Sequence, residues 1–360
     1  MFVNGVQCTE PLPITGDPPP ELAAVRTCGA AEIPPDRPLL FPIMTTTPGS
    51  RLGSSDLTVF PLALGGNVFG WTADEAESFA VLDAFAAAGG DFVDTADVYS
   101  AWAPGNKGGE SETILGRWIT ARGNRDSVVV ATKVGAHPDF KGLKAANIAA
   151  ATEESLRRLG TDRIDLLYTH FDDETTPVEE IVTALDQLVR AGKVRYVAAS
   201  NLSPARLTAS LEFAQREGLA AYVALQPKYN LVSRDSYEGE LAEVTARFGL
   251  SAVPYSALAS GFLTGKYRQG GPAVDSARAE GAGKNLETER GIKVLEALDA
   301  VAAEHDAELA TVALAWLAAQ PTVAAPIASA RTVEQLPSLL ALAELKLTDS
   351  QLALLTAASA

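Results

Sequence analysis

The sequence predicts an α/β fold, a (β/α)8 TIM barrel with an N-terminal β-hairpin and extra C-terminal helices, over most of its 360 residues. Three observations lead there. Short runs rich in Val, Ile, Leu and Ala alternate with longer segments of helical period. The runs are apolar on both faces, as strands of a parallel sheet covered by crossover helices must be. Eight such pairs can be counted, a number that favours closure over an open sheet.

Residues 1–43 stand apart. Prolines from Pro11 to Pro42 crowd a stretch with no sustained period, which is expected to be a disordered extension. Met44 opens Met-Thr-Thr-Thr-Pro-Gly-Ser, which looks like an ordinary protein start. The upstream residues are read either as a genuine tail or as preceding the true start, with the second reading slightly favoured. Residues 44–360 hold the barrel, and from Arg51 a short hairpin leads into it. Strands are expected at 62–64, 92–96, 128–134, 164–170, 194–200, 222–226, 251–256 and 323–328. Helices are expected at 74–88, 110–121, 145–159, 178–190, 204–217, 236–248 and 309–319, with 333–343 as the eighth. Segments 100–109 (rich in Gly, Pro and Trp) and 267–287 (polar, rich in Gly and Arg) exceed a minimal barrel. Both fall on the carboxyl-end face, where long loops shape a substrate pocket. Residues 289–305 and 348–358 read as helices outside the barrel count.

With 47% hydrophobic and 21% charged residues the chain can bury a large core. A net charge of -16 argues against nucleic-acid binding, although a local Arg or a helix N-terminus can still hold a phosphate. Cys8 and Cys28 both lie near the start, which leaves the rest of the chain without a disulfide framework or thiolate metal site. His137, His170 and His305 have no metal-ligand spacing. No signal peptide and no membrane-length apolar run is seen, so a soluble cytoplasmic protein with no membrane partner is expected.

Three successive strands end in reactive side chains. The run at 92–96 ends in Asp94 with Tyr99 five residues on, 128–134 carries Lys133, and 164–170 ends in His170. The carboxyl ends of barrel strands are where such folds do chemistry. A phenol is a poor acid, with a pKa of ~10, and a neighbouring ammonium is expected to lower it. Asp94 could hold Lys133 charged and aimed at Tyr99, while His170 fixes a carbonyl oxygen beside the phenol. General acid catalysis of this kind is worth about 10² to 10⁴ in rate. No side chain supplies hydride, so a cofactor is implied.

These motifs resemble the aldo-keto reductase superfamily from about Arg51 onward. Asp94-Thr95-Ala96-Asp97-Val98-Tyr99, Ala131-Thr132-Lys133-Val134 and Leu167-Tyr168-Thr169-His170 carry the resemblance. It implies Tyr99 as general acid, Lys133 and Asp94 as its tuners, and His170 as the residue that orients a small-molecule carbonyl substrate. It also implies NADPH, bound without a Rossmann fold. Ser200 and Asn201, with Gln226, should bind the nicotinamide amide, and Tyr255 should stack on its ring. Ser256, Leu258 and Lys266 should follow the pyrophosphate. Ser329-Ala330-Arg331 resembles the 2′-phosphate site, and Gln335 the adenine contact. Three positions depart from the family pattern: Ser100 replaces a Gly, Ala257 a Pro, and Leu339 an Asn. Gly265-Lys266 lacks the remainder of a phosphate loop, since Tyr267 follows. Two alternatives stay open, an NADPH-binding regulatory subunit of the same fold and a Schiff-base aldolase using Lys133. Neither the substrate nor the choice between monomer and homo-oligomer is encoded in a readable motif.

Overall fold

The computed structural model describes residues 49–360; the Pro-rich stretch 1–43 and the Met44 start lie outside the described residues. Ser50–Arg51 (β1) and Thr58–Val59 (β2) form the expected antiparallel hairpin. Eight further strands follow: Ala63–Gly65 (β3), Phe92–Asp94 (β4), Val129–Val134 (β5), Ile164–Thr169 (β6), Val194–Ser200 (β7), Tyr222–Gln226 (β8), Ser251–Ala252 (β9) and Ile327–Ala328 (β10). All pair in parallel, in the order β10-β3-β4-β5-β6-β7-β8-β9. Backbone bonds from Ala252 to Thr322, Ala324 to Ala252 and Ile327 to Pro254 join the two edges. The sheet is thereby closed, as the eight-unit count predicts.

Helices cover its outside: Glu75–Ala87 (α1), Glu110–Arg122 (α2), Ala145–Leu159 (α3), Val178–Arg190 (α4), Pro204–Glu217 (α5) and Glu240–Arg247 (α6). They continue with Ala279–Gly283 (α7), Glu289–His305 (α8), Leu309–Ala318 (α9), Leu336–Leu340 (α10) and Asp349–Ala358 (α11). The amphipathic pattern sets which face packs: α3 turns Ile148, Ala151, Leu156 and Leu159 inward. Among the described residues no helix is long and apolar enough to cross a membrane.

Most boundaries agree within two residues of the sequence reading, and four elements differ by more. The seventh strand stops at Ala252 and the eighth shrinks to Ile327–Ala328, because Pro254 and Pro326 cannot donate to the ladder. The helix expected at 236–248 starts only at Glu240, after Gly239 at φ 90°. Pro337 divides 333–343 into two short 3-10 turns flanking α10. The loop 267–287 contains α7, too short to leave a helical period.

The strand period of two positions the site. Phe92, Ala131, Leu166, Tyr168, Ala198 and Ala224 form one apolar layer inside the barrel with Leu52, Leu57 and Val59 of the hairpin. One step further along the same faces stand Asp94, Lys133, His170, Ser200 and Gln226. The hairpin thus plugs the amino end and the polar residues line the carboxyl end. Gly53 makes the plug fit. Its φ is +51°, and an added Cβ would lie 2.1 Å from the Val223 carbonyl oxygen. Gly53→Ala is therefore expected to destabilise the fold by about 1–3 kcal/mol through left-handed strain and overpacking, read as a lower denaturant midpoint at unchanged slope.

Candidate active site

Lys133 is the centre of the site. It is fully buried at the carboxyl end of β5, next to Asp94 of β4. Its Nζ donates to Asp94 Oδ2 at 2.6 Å, to the Thr95 carbonyl at 2.8 Å and to the Tyr99 phenol oxygen at 2.8 Å. Three acceptors match the three protons of an ammonium. The Tyr99 hydroxyl in turn donates to Asp94 Oδ2 at 3.2 Å. Asp94 Oδ1 accepts from Gln226 Nε2 at 2.8 Å, so each carboxylate oxygen has a donor. His170 follows β6 and sets its ring 6.0 Å from that of Tyr99, at 75°.

Electrostatics separate the roles. Burial, then the Asp94 charge, holds the Tyr99 pKa well above the usual phenol value. The sequence reading expects the opposite direction; at this partly buried phenol desolvation outweighs the ammonium. The phenol therefore stays protonated near neutrality. Burial also pulls Lys133 down, with Asp94 the strongest force holding it up. His170 falls well below the usual imidazole value, through burial and then Lys133, and is neutral near pH 7.

Asp94 and Tyr99 open onto a cavity of about 810 Å³. Seven of the ten expected cofactor residues line it: Tyr255, Ser256, Leu258, Lys266, Ser329, Arg331 and Gln335. The other three stand just behind. Ser200 donates to the Gln226 carbonyl at 2.9 Å, and Gln226 spends its amide on Asp94. Asn201, at φ 54°, donates to the His170 carbonyl at 2.9 Å and accepts from the Tyr255 hydroxyl at 2.9 Å. In this arrangement Gln226 braces Asp94, and Asn201 ties the His170 backbone to Tyr255.

The segment after β9 is unusual. Ser256, Ala259 and Ser260 all take left-handed backbone at φ 56°, 48° and 59°. Such conformations cost of order 1–3 kcal/mol each, and clusters of them belong to ligand clamps. This clamp faces three cations, Lys266, Arg278 and Arg331. Among the described residues none of the three forms an ion pair with a carboxylate, although Glu308 and Glu334 line the same cavity. Unpaired cations converging in a chain of net charge -16 make this part of the cavity locally positive.

Sequence reasoning misses Arg278, whose loop carries no period or motif. It sits 5.6 Å over the Trp71 ring, and burial and then Arg331 lower its pKa. Asn67, which accepts from Ser329 Oγ at 2.7 Å, and Trp71 are missed for the same reason. Trp71 meets Trp102 of the 100–109 segment edge-on at 5.6 Å, so that segment forms the rim beside Tyr99 as expected. Leu339, where the resemblance leads one to expect Asn, is on the cavity wall and buried. Among the described residues no group of His, Cys, Asp and Glu could hold a metal ion.

A closed parallel barrel with this Asp-Tyr-Lys-His set at its carboxyl end defines a barrel oxidoreductase of the aldo-keto reductase kind. The chain belongs to the aldo/keto reductase family, whose sequence model matches residues 61–360. It is 36% identical over 295 residues to a probable voltage-gated potassium channel subunit beta of Oryza sativa subsp. japonica, covering 79% of this chain and 88% of the relative. It is 35% identical over 314 residues to the uncharacterized oxidoreductase YrpG of Bacillus subtilis, covering 84% and 93%. It is 32% identical over 350 residues to the aldo-keto reductase ausK of Aspergillus calidoustus, covering 90% and 83%.

Proposed function

We propose that the protein is an NADPH-dependent reductase that converts an aldehyde or ketone to an alcohol. The observation that carries this reading is the buried Lys133 ammonium at 2.6 Å from Asp94 and 2.8 Å from the Tyr99 phenol, two groups that themselves line a cavity with three unpaired cations. The reduced nicotinamide, when bound, supplies hydride to the carbonyl carbon. The proton comes from the Tyr99 hydroxyl, which is held protonated by burial until the carbonyl oxygen gains charge. Lys133 faces the phenolate as it forms, and its attraction grows in the transition state. Asp94 anchors the lysine, and neutral His170 is the hydrogen-bonding group that orients the substrate oxygen. Trp71 and Trp102 shield the reacting centre. Such a protein needs neither nucleic acid nor membrane and would work in the cytoplasm.

Arg331, Arg278 and Lys266 fit the phosphates of the cofactor, with Arg331 assigned to the 2′-phosphate. Arg331→Ala is expected to weaken NADPH by roughly 1.5–3 kcal/mol, the range for a hydrogen bond to a charged group, and NADH by much less. Fluorescence titration of both cofactors reads this, and equal losses would remove the assignment. Tight NADPH binding by the unmodified protein supports the reading; no binding would overturn it.

The relatives named as potassium channel subunits beta favour a second reading, an NADPH-binding regulatory subunit. Tight binding without aldehyde-dependent oxidation would select it. The aldolase alternative requires a neutral amine, which three acceptors around Lys133 Nζ oppose.

A further inference from the structure

A second buried charge cluster lies behind the lysine, and the reaction described above does not use it. Asp97 is fully buried three residues past Asp94, and its amide donates to the Lys133 carbonyl at 3.1 Å. Both carboxylate oxygens are buried and neither meets a donor in hydrogen-bond geometry. The charged groups acting on it are Glu112 from α2 and Arg158 from α3, with Lys133 of β5 at longer range, and the backbone amides of Gly135 and His137 after β5 point toward it. Arg158 is already engaged: its Nε donates to Glu112 Oε2 at 2.6 Å and its NH2 group to Ser155 at 3.3 Å. Thr132, pointing outward where Lys133 points inward, donates to Glu112 Oε1 at 2.5 Å. Two buried carboxylates therefore share one arginine, and Asp97 is the one left over.

An enclosed carboxylate without a partner favours its neutral form. Burial first, then the Glu112 charge, pushes Asp97 up to about 7, with Arg158 and the backbone amides of His137 and Gly135 pulling the other way. Against its own burial, Lys133 is held charged by Asp94 in contact and by Asp97 and Glu112 at longer range. Asp97 thus changes charge near neutrality, with its backbone bonded to that of Lys133 and its charge acting on the ammonium at longer range than Asp94.

We propose that Asp97 is a positioning residue of the reduction: by taking up or releasing its proton it sets how firmly Lys133, and through it Tyr99, is held in the working charge state. This rests on the reductase reading of Tyr99 and Lys133. The sign follows from Coulomb attraction. With Asp97 ionised, above about pH 7, Lys133 keeps its proton to higher pH; with Asp97 neutral, that support is lost.

Asp97→Asn removes the charge while conserving shape, and Asp97→Glu restores it. Three readouts test the proposal on the full chain. In infrared pH-difference spectra, a protonated carboxyl band should disappear near neutrality in the parent protein and be missing in D97N. In carbon NMR, the Lys133 Cε resonance should titrate roughly one pH unit lower in D97N, about tenfold in its proton affinity. With NADPH and a small aliphatic aldehyde, the rate profile should lose its neutral inflection in D97N, its alkaline fall should begin at lower pH, and D97E should recover both. A merely structural Asp97 would lose its own carboxyl band in D97N but leave the Lys133 titration and the rate profile unmoved. A Lys133 titration unchanged in D97N, or superimposable rate profiles, would overturn the proposal. A protein that turns over no aldehyde would remove the reductase reading alone, and the Lys133 resonance would then decide the coupling by itself.

Discussion

Replacing Tyr99 with Phe is expected to lower the rate of carbonyl reduction by about 10² to 10⁴, the worth of a placed general acid. NADPH affinity should change little, since the lost hydroxyl bonds only to Lys133 and Asp94. Phe keeps the ring that packs against Trp102 at 6.0 Å and His170 at 6.0 Å, so the pocket keeps its shape. The loss should fall on kcat rather than KM, because the proton moves only in the transition state. Single-turnover mixing of the loaded variant with an aldehyde, beside a fluorescence titration of NADPH, separates the two quantities. Equal loss of binding and rate would make Tyr99 a structural residue.

Lys133→Met should have the second large effect, on stability as well as activity. The ammonium and Asp94 are both buried and 2.6 Å apart, so removing one partner strands the other. Breaking a buried pair in this way costs about 3–5 kcal/mol, although replacing both partners by apolar groups is often nearly neutral. Asp94 would keep only the bonds from Gln226 and Tyr99. Lys133→Met alone should therefore lower the denaturant midpoint sharply, and adding Asp94→Leu should recover much of the loss while leaving the protein inactive. A single variant as stable as the parent would contradict the pairing.

Much of the fold is legible because its strands are apolar on both faces and its helices are amphipathic. Where the pattern misleads, a local residue decides: Pro254, Pro326 and Pro337 deny the backbone a donor, and Gly239 turns the chain before α6. The proposed catalytic set is legible because period-two alternation carries Asp94, Lys133 and His170 to one barrel end, and Tyr99 follows on the next turn. Arg278 and Asn67 are not, since loops hold their ligand groups by tertiary packing that leaves no spacing in the chain. The direction of the Tyr99 shift is hidden for a related reason. A sequence shows that a lysine is near, but enclosure, the larger force here, exists only in the folded chain.

The most direct measurement is to load the protein with NADPH deuterated at the transferable position and mix it with a small aldehyde. NADPH oxidation is expected to depend on aldehyde, with the label appearing on the carbinol carbon of the alcohol and nowhere else. Cofactor that binds tightly yet delivers no label to any carbonyl in a broad panel would contradict it.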